Sequence, residues 1–94
     1  MNIQGAISSK PGLLENELSV FVRVDNVTRI GLKLSPGGNG EISCPAGSDI
    51  VGCKSLPDRD LSITCNGSTR NNRVSAVTCF VFVNNEKATT FTFN

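Results

Sequence analysis

Alternation of apolar and polar residues recurs along the chain and predicts β-strands rather than helices. In LSVFVRV (18–24), the apolar side chains at every second position point one way and the residues between them point the other way. RIGLKL (29–34) follows the same pattern, and residues 25–28 form a short polar connection between the two runs. These features predict a β-hairpin over residues 18–34.

The second half of the chain predicts further strands. LSITC (61–65) alternates in the same way, RVSAVTCFVFV (73–83) is the longest run of this kind, and KATTFTFN (87–94) also alternates. Weaker strand candidates are residues 2–8, 41–44 and 49–53. A helical turn fits only residues 13–18, and the Pro-Gly pair just before them keeps it short.

The segments between these strands are rich in residues that form turns. Gly and Asn tolerate positive φ, and Pro presets the first position of a turn. Such segments lie at residues 10–12, 35–40, 44–47, 66–67 and 84–85. Short strands separated by turn signals every roughly 8–12 residues are typical of antiparallel sandwiches and small barrels.

The sequence therefore predicts an all-β fold: a small antiparallel β-sandwich, immunoglobulin-like, of about seven strands. A small β-barrel is the alternative. The chain has no Trp, and no cysteine pair has the spacing of the inter-sheet disulfide of antibody domains. No internal repeat or linker is apparent. Residues 1–94 are predicted to form a single β domain, which could belong to a larger secreted or surface protein.

The last predicted hairpin has a specific register. A loop over residues 84–87 pairs Val83 with Ala88 and Phe80 with Phe91. Most of the aromatic residues then share one face, which we expect to be core: Phe80, Phe82, Phe91 and Phe93. The opposite face is apolar for a solvated surface, so a loop or a partner should cover it. The candidate binding residues on that face are Val81, Val83, Thr90 and Thr92.

The four cysteines are best explained as disulfides. They contain no C-x-x-C motif and the chain has no His, whereas structural zinc and redox-active dithiols favour such motifs. A hairpin centred on Asn72 sets Cys65 opposite Cys79, and this bridge would be worth about 3 kcal/mol. Cys44 and Cys53 then form the second bridge, although the sequence alone leaves the other pairings open. Disulfides predict an oxidising, extracytoplasmic site: secreted, periplasmic or surface-exposed.

Charge and hydropathy argue against two kinds of partner. Nine basic and eight acidic residues give a net charge of +1, which is no electrostatic footprint for nucleic acid. No run approaches the ~18 apolar residues of a membrane span, so we expect no membrane insertion. The first residues, MNIQGAISSKPG, contain no apolar run of signal-peptide length. The protein is therefore expected either to be cytosolic or to have lost a leader that preceded Met1.

The residues available for chemistry predict no enzyme, cofactor or metal. Without His, the commonest general acid or base is missing. The acidic pair in Asp58-Arg59-Asp60 is too common a pattern to indicate a metal site, and SPGGNG (35–40) is better explained as a hairpin tip than as a phosphate loop. The chain also lacks the Trp and Tyr that usually hold sugars or stack on bases.

What remains is binding to protein. We predict an extracytoplasmic protein–protein interaction module, such as a subunit or domain of a surface appendage, adhesin or virion. It would bind another protein or self-assemble, because a terminal strand can be donated to a neighbour or completed by it. The ending ATTFTFN alternates, has a penultimate aromatic residue and resembles the end of fimbrial subunits.

The alternative is a small secreted effector, toxin or inhibitor that docks on a target protein. Its best candidate contact is the predicted hairpin tip, because Arg is enriched at interfaces. The candidate residues at this tip are Arg70, Asn71, Asn72 and Arg73.

Overall fold

The computed structural model describes residues 1–11 and 16–94, and in this part of the chain it contains β-strands and no helix. The predicted helical turn lies partly outside the described residues, and residues 16–18 belong to a strand. The strands are β1 (Ile3–Pro11), β2 (Asn16–Val24), β3 (Val27–Lys33), β4 (Gly40–Cys44), β5 (Asp49–Ile50), β6 (Cys53–Lys54), β7 (Leu61–Arg70), β8 (Arg73–Val83) and β9 (Glu86–Phe93). The count exceeds the predicted seven partly because residues 49–54 form two very short strands around a tight turn.

The strands form two antiparallel sheets, which confirms the predicted sandwich. One sheet has the order β1-β2-β3-β6-β5 and the other β4-β7-β8-β9. The inner orders β2-β3-β6-β5 and β4-β7-β8 match the A-B-E-D and C-F-G orders of immunoglobulin constant-type domains. β1 and β9 extend the two sheets on the same flank, where Gly5 of β1 lies against the ring of Phe91 of β9.

The core lies between the sheets and follows from the alternation in the strands. Side chains at every second position of β2, β3, β7 and β8 point inward and are buried. Burying an aliphatic side chain of this size contributes about 1.5–3 kcal/mol. The fully or nearly fully buried hydrophobic residues are Val20, Val22, Val24, Ile30, Leu32, Leu34, Leu61, Ile63, Val77, Val81 and the four cysteines.

The two disulfides have different roles in the sandwich. Cys44–Cys53 joins β4 to β6 and therefore links the two sheets. Cys65–Cys79 joins the neighbouring strands β7 and β8 within one sheet, with its Cα atoms 4.1 Å apart. The two disulfides together are the pairing that was favoured from the sequence, and they are compatible with an oxidising compartment.

Three hairpins share the same turn and the same irregularity. Each closes with two residues at positive φ: Asp25–Asn26, Asn71–Asn72 and Asn84–Asn85. Asn and Asp tolerate this conformation, which gives the type I′ turn that matches strand twist. In each hairpin, the third residue after the turn is an unpaired β-bulge; these residues are Arg29, Ser75 and Ala88.

The bulges decide which side chains face the core. A β-bulge adds one residue to one strand, so the inward face changes relative to regular pairing. The predicted register of the last hairpin is wrong for this reason, because Phe91 faces Cys79 and Phe80 faces Thr90. The predicted aromatic cluster is divided into an inward pair, Phe91 with Phe93, and an outward pair, Phe80 with Phe82.

The meander β1-β2-β3 and the meander β7-β8-β9 are a structural repeat, which was not predicted from the sequence. Asn84 and Ala88 occupy the turn and bulge positions of Asp25 and Arg29, each 59 residues later. At this offset the inward-facing positions of β3 coincide with those of β9. Ile30 corresponds to Thr89, and the inward positions that follow also coincide. β3 in one sheet is therefore the equivalent of β9 in the other.

The same pair of hydrogen bonds anchors the turn in both meanders. The backbone N–H of Asp25 donates to the Asn2 carbonyl at 2.8 Å, and the N–H of Asn2 donates to Asp25 Oδ1 at 2.8 Å. In the second meander, Asn84 and Asp60 repeat both bonds at 2.9 Å. Each turn is thus tied to the residue that precedes the first strand of its meander.

Candidate interaction surfaces

The tip of the β7–β8 hairpin brings together the four residues predicted as a contact loop. Arg70 pairs with Arg73, and Asn71 and Asn72 form the turn between them. All four are exposed. Among the described residues the ion pair is Lys33–Glu17, so neither arginine is neutralised by a described carboxylate. The tip therefore presents two guanidinium groups to solvent.

The second predicted binding surface does not exist as one face. Val81 is fully buried in the core and Val83 is half-buried beside it. Thr90 and Thr92 are exposed and lie on the outer face of the same sheet. The bulge at Ala88 separates the two sets, because it reverses the inward face of β9 relative to the predicted register. The apolar face is covered by the opposite sheet.

The backbone of Thr90 and Thr92 faces an open sheet edge. Directly opposed antiparallel residues lie about 5.5 Å apart when hydrogen-bonded and about 4.5 Å apart when not. Cys65 and Cys79, at 4.1 Å, are a pair without hydrogen bonds, so the N–H and C=O of Cys79 point towards β9 and its partner Phe91. By alternation, the N–H and C=O of Thr90 and Thr92 point away from β8.

Beyond the bulge at Ala88 and the charged residues Glu86 and Lys87, this β9 edge lacks the features that usually protect edge strands. Residues 89–93, TTFTF, contain no charge, Pro or Gly, and Thr and Phe favour strands. Among the described strands, β5 has only two residues, β4 carries the charged Glu41 as its second residue, and β1 ends in Lys10 and Pro11. None of the described strands pairs with the outer side of β9.

Neighbouring groups cover the Cys44 end of β4. The Ser55 hydroxyl donates to the Cys44 carbonyl at 2.9 Å, and the Cys44–Cys53 disulfide holds the β5–β6 segment beside this strand. Ser55 is itself buried, so this contact excludes water from the end of β4. Compared with β4, β9 is the long edge strand of this sheet that is open to another strand.

Two other apolar features of the surface are less extensive. The Phe80 side chain lies on the outer face of the sheet, next to β9. Lys87 covers it, with its Nζ 5.6 Å from the ring centroid. Ile50 and Val51, at the β5–β6 turn, are 61% and 99% exposed. The sequence signal for this turn is Val51-Gly52, where Gly52 has positive φ. Single exposed apolar residues are common and do not by themselves indicate a site.

A cavity near the β9 edge is too small to hold a typical ligand. It measures about 210 Å³ and lies between the sheets. Ligand pockets usually measure about 300–1,000 Å³. The apolar residues that line the cavity are Ile7, Leu18, Ala76, Val74, Val77 and Phe93. Its walls offer few polar groups with which to orient a small molecule.

Metal-ligating side chains do not gather at one place among the described residues. Within residues 1–11 and 16–94, no cluster of three or more His, Cys, Asp or Glu side chains occurs. Asp60 instead accepts a hydrogen bond from the Ala46 N–H at 2.8 Å, and the cysteines form disulfides. In this part of the chain, no helix is long and apolar enough to span a bilayer.

Comparisons with family models, curated proteins and solved structures give no match to this chain. The surfaces themselves are therefore the basis for inferring a function. Sequence reasoning named Thr90 and Thr92 for their side chains, but the structure draws attention to their backbone groups. The signal that could have found the edge is the uncharged TTFTF run, which lacks any protecting residue.

Proposed function

We propose that this protein is a non-enzymatic protein-interaction module of an extracytoplasmic structure, such as a surface appendage, adhesin or virion, and that it binds through the β9 edge. The observation that carries the proposal is the open, uncharged edge at Thr90 and Thr92. In β-strand addition, such backbone groups provide affinity and alternate side chains provide specificity.

Two further features support this proposal. The disulfides suit an oxidising compartment, and a small domain outside the cell gains stability from them. The absence of His from the sequence and the engagement of Asp60 in a backbone hydrogen bond favour binding over catalysis.

The test is affinity capture of proteins from the extracytoplasmic fraction of the source, with three forms of the purified protein as bait. Thr92→Pro removes an N–H that points to the open edge, so β9 keeps its bonds to β8 and the sandwich should fold. We expect this variant to lose the partner that the unmodified protein captures. R70A/R73A, which changes only the hairpin tip, should still capture it.

Thr89→Pro is the matched control for the fold. Thr89 is opposite Val81, and its N–H points towards β8 by the same alternation. This substitution should therefore lower the melting temperature, whereas Thr92→Pro should leave it nearly unchanged. Equal destabilisation by both substitutions would mean that the assignment of the β9 edge is wrong.

The docking-effector function is the second candidate, because the arginines at the tip have no ion pair with a described residue. Arg is favoured at protein interfaces, where its fork of donors meets carboxylates. This candidate predicts the opposite result: R70A/R73A loses the target and Thr92→Pro retains it. If all baits capture the same proteins, both proposals are contradicted.

A further inference from the structure

We propose that the strand that adds to β9 is β9 of a second copy of this chain, so that two molecules form an antiparallel β9–β9 pair about a two-fold axis. This inference rests on the proposed function, because it assigns the occupant of the same β9 edge.

The structural repeat shows what kind of element fits this edge. β3 is the equivalent of β9, and Gly31 of β3 is the equivalent of Thr90 at the offset of 59 residues. The Gly31 N–H donates at 3.0 Å to the carbonyl of Gly52, the residue just before β6, and β6 pairs with β3 as an antiparallel strand. At the same place in the second meander, none of the described strands covers Thr90. The fold therefore covers this edge in one meander and leaves it open in the other.

The sequence of β9 is complementary to itself in one register. When Phe91 lies on the two-fold axis, Thr90 faces Thr92 of the second copy, and Thr92 faces Thr90 of the second copy. These are the residues whose N–H and C=O point to the open edge, so each pair can exchange both backbone hydrogen bonds. Phe91 then lies opposite Phe91 of the second copy. These two residues form a closely spaced pair without backbone hydrogen bonds, and their side chains point to the inner side of the sheet.

Neighbouring registers with the same hydrogen-bonding pattern are less favourable. A shift of two residues in one direction sets the bulged Ala88 opposite Thr92. The same shift in the other direction sets Thr90 opposite Asn94, outside the described strand. The register centred on Phe91 alone gives a continuous overlap of residues 89–93 without a bulge.

The side chains that meet in this register are compatible. Thr–Thr and aromatic cross-strand pairs both stabilise antiparallel sheets. The charged residues of β9, Glu86 and Lys87, lie outside the overlap, so no like charges oppose each other. β1 lies on the same flank, with Gly5 against Phe91, and the two-fold brings the β1 strands of both copies close together. The contact therefore extends to the second sheet, as a specific dimer requires.

The experiment measures self-association of the purified, oxidised full chain by sedimentation velocity over a wide range of concentrations. We expect the unmodified protein to pass from monomer to dimer as its concentration rises. Two double variants test the register: T90K/T92K places lysines opposite lysines in both pairs, and T90K/T92E places a lysine opposite a glutamate in both pairs. Both variants carry substitutions at the same two exposed positions. A comparison between them therefore controls for any effect of these substitutions on the folded monomer.

The expected result is a dimer dissociation constant at least about tenfold larger for T90K/T92K than for T90K/T92E at low ionic strength. Added salt should reduce this difference, because exposed charges are screened. Circular dichroism of both variants at a concentration where they are monomeric should show the same fold.

Three outcomes would overturn the inference. An unmodified protein that stays monomeric at every concentration excludes a second copy as the partner. If it dimerises and both double variants dimerise as tightly as the unmodified protein, the contact lies elsewhere. If both double variants are equally weakened relative to the unmodified protein, the Phe91-centred register is wrong. A monomeric protein that captures a different partner, and loses it through Thr92→Pro, contradicts only this inference and leaves the proposed function intact.

Discussion

Deletion of Ala88 should have little effect on stability, whereas deletion of Ala88 and Thr89 together should be severe. Ala88 is the bulged residue of β9, so its removal leaves a regular two-residue hairpin in which Phe91 still faces Cys79. Removal of both residues shifts the inward face of β9 by one position. Phe91 and Phe93 would then point outward, and Thr90 and Thr92 would point into the core.

The magnitude follows from the burial of the two aromatic side chains. Phe91 and Phe93 are half-buried and pack against the core, so each contributes about 2 kcal/mol. Their exposure costs about 4 kcal/mol, and the inward threonine hydroxyls add to this cost. A chain of 94 residues has a free energy of unfolding of about 5–14 kcal/mol, so the double deletion removes a large share of it. The single deletion should cost about 1 kcal/mol or less.

The assay is urea unfolding followed by far-UV circular dichroism, because the chain has no Trp or Tyr to give a fluorescence signal. Ala88→Ser and Thr89→Ala, which keep the chain length, control for the loss of each side chain. In the register predicted from the sequence, Ala88 pairs with Val83. Deletion of Ala88 alone would then move Phe91 and Phe93 to the opposite face of the sheet. A single deletion as costly as the double deletion would therefore refute the bulged register.

Two more predictions concern the flank and the disulfides. Gly5→Ala should destabilise by about 1–3 kcal/mol in the same assay, because its Cβ would lie 2.7 Å from the Phe91 ring, and the added variant Phe91→Leu should recover part of this loss. C44A/C53A and C65A/C79A should each cost about 3 kcal/mol, since their loops are of similar length. Only C44A/C53A should also speed amide exchange at Gly31, because that bridge holds β6, whose preceding turn supplies the Gly52 carbonyl.

The fold class was predictable because alternation survives in each strand taken alone. Val20, Val22 and Val24 follow one another at every second position, and all three are buried as the pattern indicates. The disulfide-closed hairpin was also placed correctly, with Cys65 opposite Cys79. That register was centred on Asn72, which allowed for the bulged residue at Ser75 without identifying it.

The faces of β9 could not be predicted because the bulges have no common residue. Arg29, Ser75 and Ala88 differ in size, charge and polarity, although all three follow the same kind of turn. A turn signal read from Asn84-Asn85 gives the pairing of the first residues only. One unpaired residue further on then reverses the inward face for the rest of the strand.

The structural repeat, by contrast, did leave a signal in the sequence. VFVRVDN (20–26) and CFVFVNN (79–85) share the same residue at four of seven positions and end in the same kind of turn. The equivalent first and third strands of the two meanders share too little to be aligned, because only their inward positions are constrained by the core. The repeat becomes clear only when the turns, the bulges and the anchoring hydrogen bonds are compared together.

The unequal edges of the two sheets favour a covered rather than an open β9 in the working protein. A long, uncharged edge strand can pair with other chains, and natural proteins usually block it with charges, Pro, bulges or a covering segment. Each of the other described edges here has such a feature, and β3, the equivalent of β9, is covered by β6. The stretch 89–93 combines strand-favouring residues with no charge, Pro, Gly or bulge. Selection against non-specific aggregation would remove such a stretch unless a specific strand occupied it, and the proposed β9–β9 pair would provide that strand.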